Sequence, residues 1–360
     1  MPVTISAPSS DTPALEHEQI VLRRGERSGL PLLIAVHSTR LGPALGGCRV
    51  WQYPSWREGL EDVLRLSSAM TLKCAAADLP TGGGKSVIAL QPGQRLEGEQ
   101  RRAAFRDLGE AVDALGGAYR TAEDVGTSTA DMHIVRERTR HVFGLPTEHG
   151  GIGEPAAPTA LGVYAALRSA LKRINGSHRV EGLRITVSGL GQVGTRLTQR
   201  LAEEGAVLTV TDVDATRAIV GAELGARWVS PEQAWTIPAD VVIPAGVGGA
   251  LTTDVIRGLD CRAVVGPANN QLAHDSGADL MAERNILWAP DFVANAGGAI
   301  FAILADDQRL DPVRVLQRVE GIESTLDAVF DRAAATGTTP LQAARTLAHE
   351  RLDLTPHGTD

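Results

Sequence analysis

At 360 residues the chain has room for about two domains of the usual ~100–200 residues, and 43% hydrophobic residues argue against disorder. A formal net charge of −8 excludes nucleic acid or an anionic membrane as the main partner. Three scattered cysteines, Cys48, Cys74 and Cys261, exclude a disulfide framework and a paired-cysteine metal site.

Nine histidines show no HExxH-like ligand spacing, so no metal is expected. No run of ~20 apolar residues offers a membrane span. The N-terminus lacks a basic region followed by an apolar core, so it is no secretory signal. The expectation is a soluble cytoplasmic protein.

Residues 1–14 read as a polar tail. Gln19–Leu22 and Leu32–His37 are strand-like runs joined by a charged, Gly-containing turn. LGPALGGCRVW (41–51) reads as an exposed loop, either an ordinary turn or a pocket wall where a ligand meets main chain. Residues 57–72 predict a helix with Leu60, Val63, Leu64, Ser67 and Met70 on one face, delivering Lys73 just past its end.

The stretch MTLKCAAADLPTGGGKSVI (70–88) is the centre of the reading. It carries two of only three lysines, against thirty-two arginines. A compact amine whose pKa burial can lower is something arginine cannot supply. Gly82-Gly83-Gly84 gives backbone free to take positive φ and to lie against a bound molecule, and Ser86–Leu90 follows as a strand. GGGKS also resembles a phosphate loop, but Leu79 stands where that motif needs its first glycine. A helix is expected over 99–115, with Phe105, Leu108, Val112 and Leu115 inward. In the following TAEDVGT, Glu123 reads as a solvated cap, and Asp131 beyond it as a cap or helix start. A functional Asp124 depends on reaching Lys85.

Residues 145–158, rich in Gly and Pro, mark a boundary or hinge, and a helix runs from about Thr159 to Ile174. The pattern then changes. Strand Arg184–Ser188 leads directly into GLGQVG (189–194), helix Val193–Glu204, strand Ala206–Thr211 and then Asp212. A glycine fingerprint between a strand and a helix, with an acid 23 residues after its first glycine, is the context of a dinucleotide site. Gly189 allows the tight turn, Gly191 admits the pyrophosphate to the backbone, and Gly194 permits close helix–strand contact. The helix N-terminus faces the phosphates. Asp212 would accept ribose hydroxyls and repel a 2′-phosphate, favouring NAD over NADP. Further strands at Val241–Ile243, Ala263–Val265 and Ile286–Trp288 each end in a Gly-, Pro- or Asn-rich loop. Those loops should converge on the cofactor, bringing Asn269 and Asn270 as neutral donors. Residues 311–353 read as helical, with Val315, Val319, Ile322 and Leu326 inward, packing back on the first half.

LGPALGGCR, MTLKCAAADLPTGGGKSVI, TAEDVGT, GLGQVG, GPANNQL and APDFVANAGGAI together resemble the glutamate/leucine/phenylalanine/valine type of amino-acid dehydrogenase, over roughly residues 17–355. The resemblance implies an α/β fold of two domains. A mixed-sheet substrate-binding and oligomerisation domain would span 1–150, joined by C-terminal helices from 325–360. A Rossmann-type NAD-binding domain would span 151–324, with a cleft between the two and homo-oligomeric assembly.

By the same resemblance Lys73 would hold the substrate carboxylate, Lys85 would activate water and relay protons, and Asp124 would pair with Lys85 and serve the amino nitrogen. Asn270, Gly47 and Met70 would touch substrate. Cofactor contacts would come from Gly189, Gly191, Gln192, Val193, Gly194 and Asp212, from Ala245, Gly246 and Asn269, and from Thr159. Oxidative deamination needs a fixed carboxylate, a base neutral near neutral pH and a second proton carrier. A buried lysine beside another has its pKa lowered by desolvation and like charge.

Glutamate-specific relatives place a lysine where this chain has Leu45, so an apolar substrate side chain is expected. Ala122 resembles the leucine and valine enzymes; Ala299 and Ala302 enlarge the pocket, and KCAAAD is similar to the phenylalanine branch. Overlapping specificity follows, with substrate, 2-oxo acid and ammonia as the small-molecule partners. The alternatives are an NAD-binding regulatory protein without catalysis and a phosphate-loop ATPase.

Overall fold

The computed structural model describes residues 16–144, 155–307 and 310–354. The first half is a mixed five-stranded sheet. Its strands are β1 (Gln19–Arg24), β2 (Pro31–Ser38), β3 (Ala44–Gln52), β4 (Gly82–Leu90) and β5 (Tyr119–Glu123), in the order β1-β2-β4-β3-β5. β2 runs antiparallel to β1 and β4, while β3 runs parallel to β4 and β5.

Two glycine readings are corrected here. LGPALGGCRVW is mostly not a loop, since Ala44 onward forms the buried strand β3. GGG forms the start of β4, and none of the three glycines has positive φ. The physical reason is crowding within the protein. A Cβ on Gly46 would stand 1.7 Å from the Gly84 carbonyl oxygen, and one on Gly83 would stand 2.1 Å from the Thr71 nitrogen. These glycines let strands and helix approach one another. Because GGGKS is buried strand, it cannot wrap a phosphate, and the ATPase alternative loses its motif.

Helix α1 (Trp56–Ala76) starts at Ser55, whose side chain accepts from the Arg57 N–H. It buries Val63, Leu66, Ser67, Thr71 and Cys74, and runs past its expected end, so Lys73 lies inside the last turn. The Cys-Ala-Ala continuation favours helix. Arginines from the C-terminal segment hold this end: Arg351 donates to the Ala75 carbonyl at 3.0 Å, and Arg318 to the carbonyl of Asp78, two residues past the helix, at 3.0 Å. Helices α2 (Gly98–Asp113) and α3 (Thr129–Arg136) cover the sheet's other side, burying Phe105, Leu108 and Met132. Asp131 is buried in the first turn of α3, in a capping box with Ser128. Most of the boundary segment 145–158 (residues 145–154) lies outside the described residues, as do the tail at 1–14 and residues 355–360.

In the second half, α4 (Ala156–Asn175) precedes a six-stranded parallel sheet. Its strands are β6 (Arg184–Ser188), β7 (Val207–Thr211), β8 (Arg227–Trp228), β9 (Val241–Pro244), β10 (Ala263–Val264) and β11 (Leu287–Trp288), in the order β11-β10-β9-β6-β7-β8. Strand order reverses at β6, the place where such sheets bind ligands. Helix α5 (Gln192–Glu203) leaves β6 through the glycine loop. Three C-terminal helices cover Pro312–Glu320, Ile322–Thr336 and Pro340–Leu354, and Val315, Val319, Ile322 and Leu326 are buried as the periodicity predicts. Asp327 accepts from Ser169 at 2.7 Å and Lys172 at 2.9 Å on α4. One apolar core joins α4, the parallel sheet, the C-terminal helices and the end of α1, fixing the two halves across the cleft.

Candidate active site

Lys85 projects from β4, a strand buried along its length, and is itself only 6% exposed. Its Nζ lies 3.2 Å from Oδ1 of Asp124, just beyond the end of β5. Asp124 therefore reaches Lys85. The turn is pinned by the Asp124 N–H, which donates to Thr127 Oγ1 at 2.8 Å. Burial alone would raise the Asp124 carboxyl pKa, but Lys85 and Arg49 outweigh it and hold the group below its ordinary value.

Lys73 lies on α1, with Nζ donating to Asn269 Oδ1 at 2.9 Å. Desolvation lowers its pKa and the nearby Lys85 adds to that, with Asp291 opposing. The like-charge effect expected from the sequence is thus felt at Lys73.

These groups open on one cavity of about 620 Å³ between the two sheets. Leu45, Gly47, Met70, Ala122, Ala299 and Ala302 line it, as do Asn269, Asn270, Thr159 and Val193. Every residue expected to touch substrate is present. Leu66 and Phe143 add apolar wall that the sequence reading missed. Lys172 points away into its ion pair with Asp327, leaving only Lys73 and Lys85 as amines in the cavity.

Three polar residues of the cavity were also missed: Arg49, Asp291 and Asn295. Each is a polar residue in an otherwise small or apolar motif, LGGCR or APDFVANAGG, and that contrast was the available signal. Asp291 is buried, which raises its pKa, and accepts the Gln271 N–H at 2.8 Å and the Phe292 N–H at 2.7 Å. It thereby fixes the loop on which Asn270 takes φ +50°.

The remaining cofactor candidates form a separate patch at the β6 turn and do not line this cavity. Gly189 has φ +119°, and a Cβ there would lie 2.6 Å from the Ala245 carbonyl carbon and the Gly246 nitrogen. Ala245 and Gly246, following β9, thus close on the fingerprint. A Cβ on Gly194 would lie 2.0 Å from the Gly189 oxygen, so its role in close helix–strand contact holds. Gly191 differs, since a Cβ there would meet nothing within 4 Å. Gln192 begins α5 beside it. Asp212 accepts the Leu190 N–H at 2.6 Å and the Asp214 N–H at 2.9 Å, bracing the loop.

A dinucleotide fits these residues. The open face at Gly191 admits a pyrophosphate to the helix N-terminus. In the cavity Asn295 donates to Asn269 Oδ1 at 2.9 Å, while its own buried Oδ1 has no partner, an acceptor suited to a carboxamide.

A mixed sheet and a Rossmann-type sheet, facing each other over two lysines and an aspartate, define a two-domain dehydrogenase. Residues 17–141 match the Glu/Leu/Phe/Val dehydrogenase dimerisation domain, and residues 150–223 and 214–355 match the Glutamate/Leucine/Phenylalanine/Valine dehydrogenase domain. The chain belongs to that family. It is 40% identical over 343 residues to leucine dehydrogenase of Thermoactinomyces intermedius, covering 94% of this chain and 92% of the relative. With phenylalanine dehydrogenase of Caldalkalibacillus thermarum the identity is 38%, over 94% and 91%. The structure of L-tryptophan dehydrogenase from Nostoc punctiforme superposes with a TM-score of 0.80 at 34% identity, over 94% and 96%. Family members use NAD(P). No helix among the described residues is long and apolar enough to cross a membrane.

Proposed function

We propose that the protein catalyses the reversible, NAD-dependent oxidative deamination of an apolar L-amino acid to its 2-oxo acid and ammonia. The observation that carries this reading is the Lys85–Asp124 contact of 3.2 Å inside a cavity whose other walls are largely apolar. Lys73, held by Asn269, binds the substrate carboxylate and sets Cα in place. Bound NAD supplies the hydride acceptor. Lys85 takes a proton from the water that adds to the resulting iminium carbon. Asp124 carries protons to and from the amino nitrogen, and Asn270 on the cavity wall touches the substrate. An enzyme that kept only cofactor binding would have no need of these three charged groups in one cavity, which disfavours the regulatory alternative.

Asp212 supports NAD over NADP, because its carboxylate beside the Gly191 opening would repel a 2′-phosphate. Leu45, Met70, Ala122, Ala299 and Ala302 offer a second substrate carboxylate no cation, which supports leucine, valine or phenylalanine as substrate. Residues 1–150 would form the substrate and oligomerisation half and 151–324 the dinucleotide half, with 325–360 returning to the first. The bond from Arg351 to the end of α1 supports that return, while the bonds of Asp327 to α4 favour the dinucleotide side for the start of the segment. A homo-oligomer in the cytoplasm is the working assembly. Turnover of leucine, valine, phenylalanine and glutamate, each with NAD and with NADP, tests the reading. The three apolar substrates should reduce NAD, and glutamate should not. No reduction with any apolar substrate rejects it.

A further inference from the structure

Asp124 has a second cation that the proton-transfer scheme does not use. Arg49, on β3, donates from Nε to Asp124 Oδ2 at 3.0 Å, while Lys85 faces Oδ1. Each carboxylate oxygen thus has its own cationic partner. The other end of the guanidinium is anchored: Nη1 donates to Asp62 Oδ2 on α1 at 3.1 Å. Asp62 is itself fixed by the Tyr53 hydroxyl at 2.7 Å and by Arg65 at 2.7 Å on its other oxygen. Arg49, Asp62 and Asp124 side chains are all under 20% exposed, so solvent screens this chain weakly.

We infer that Arg49 is the positioning residue of the Lys85–Asp124 pair: it fixes one oxygen of Asp124 and balances its charge, so that the other oxygen meets Lys85 in a set direction. The inference rests on the proton-carrying roles proposed above. An arginine keeps its charge throughout the cycle. Sharing Asp124 between Arg49 and Lys85 leaves neither oxygen of this buried carboxylate unpaired and helps hold its pKa below the ordinary value. The fork spanning Asp62 and Asp124 also sets the direction of the free oxygen, which an ammonium on a flexible stem does not do. Lys73 on α1 is the other titratable cation of the cavity, and it binds Asn269 rather than this chain of contacts.

Arg49→Met and Arg49→Lys, measured with Tyr53→Phe, test the inference. Arg49→Met should lower kcat by about 10–100-fold, the scale of one charged hydrogen bond, with NAD binding and substrate KM nearly unchanged. Removing a cation raises the Asp124 carboxyl, so the acid limb of the kcat–pH profile should move to higher pH. Arg49→Lys should return the limb toward its original position while recovering only part of kcat, and Tyr53→Phe should give a smaller shift in the same direction. Unmoved pH limbs in Arg49→Met, or a loss of kcat matched by falling Tm and NAD binding alike, overturn the inference. Asp124→Asn separates the two levels. If it retains wild-type turnover, the proton-carrier reading itself fails. If it is inactive while Arg49→Met behaves as wild type, only the role of Arg49 fails.

Discussion

In the mixed sheet the working groups are side chains on or next to regular elements, Lys85 on β4, Lys73 in the last turn of α1 and Asp124 in the turn just after β5. In the parallel sheet the working surface is backbone: the turn at Gly189, the open face at Gly191 and the loop at Ala245-Gly246. Both halves depend on glycine, for opposite reasons. Around Lys85, Gly46 and Gly83 are small so that protein can touch protein. At Gly191 smallness leaves space that protein does not fill. Gly189 and Gly194 in the same loop are crowded by protein as Gly46 is, so the open face there is that of Gly191.

That contrast can be broken by substitution. Lys73→Met should cost about 2–5 kcal/mol of substrate binding, as expected for one partner of a close charge pair, seen as a raised KM with unchanged NAD affinity. An equal loss of NAD affinity would mean the halves are not separable. The same lysine gives a pH test. Its pKa is lowered and only its charged form holds a carboxylate, so KM should begin to rise with pH below the usual lysine range. A flat KM through that range would remove Lys73 from carboxylate binding.

Gly189→Ala should destabilise the protein by about 1–3 kcal/mol, through positive φ and a backbone clash, read as a lower Tm. Gly191→Ala should leave Tm unchanged and weaken NAD about tenfold, the equivalent of ~1.4 kcal/mol. Equal effects of the two alanines on Tm would erase the distinction drawn between crowded and open glycines.

The dinucleotide half was the more legible in sequence. β6, β7 and the start of α5 fall within a residue of expectation, because the fingerprint is local: strand, turn and helix adjoin in the chain. The substrate half was legible in its residues but not in its backbone. Lys73, Lys85 and Asp124 were singled out, yet β3 was read as a loop and α1 ended too early. Glycine in a central strand looks like a turn until the partner strand is known, and Gly46 faces Gly84 across 38 residues of sequence. The pairing of Arg49 was hidden for the same reason, since its partners Asp62 and Asp124 are brought to it only by the fold.

The central claim is that the amine on β4 performs the proton chemistry of deamination. Release of 2-oxo acid and ammonia by Lys85→Ala, beside the unaltered enzyme and with an apolar amino acid, tests it most directly. The account predicts a rate lower by roughly 10²–10⁴-fold, the usual range for a lost general base, with NAD affinity and Tm retained. A rate within a fewfold of the unaltered enzyme would contradict it.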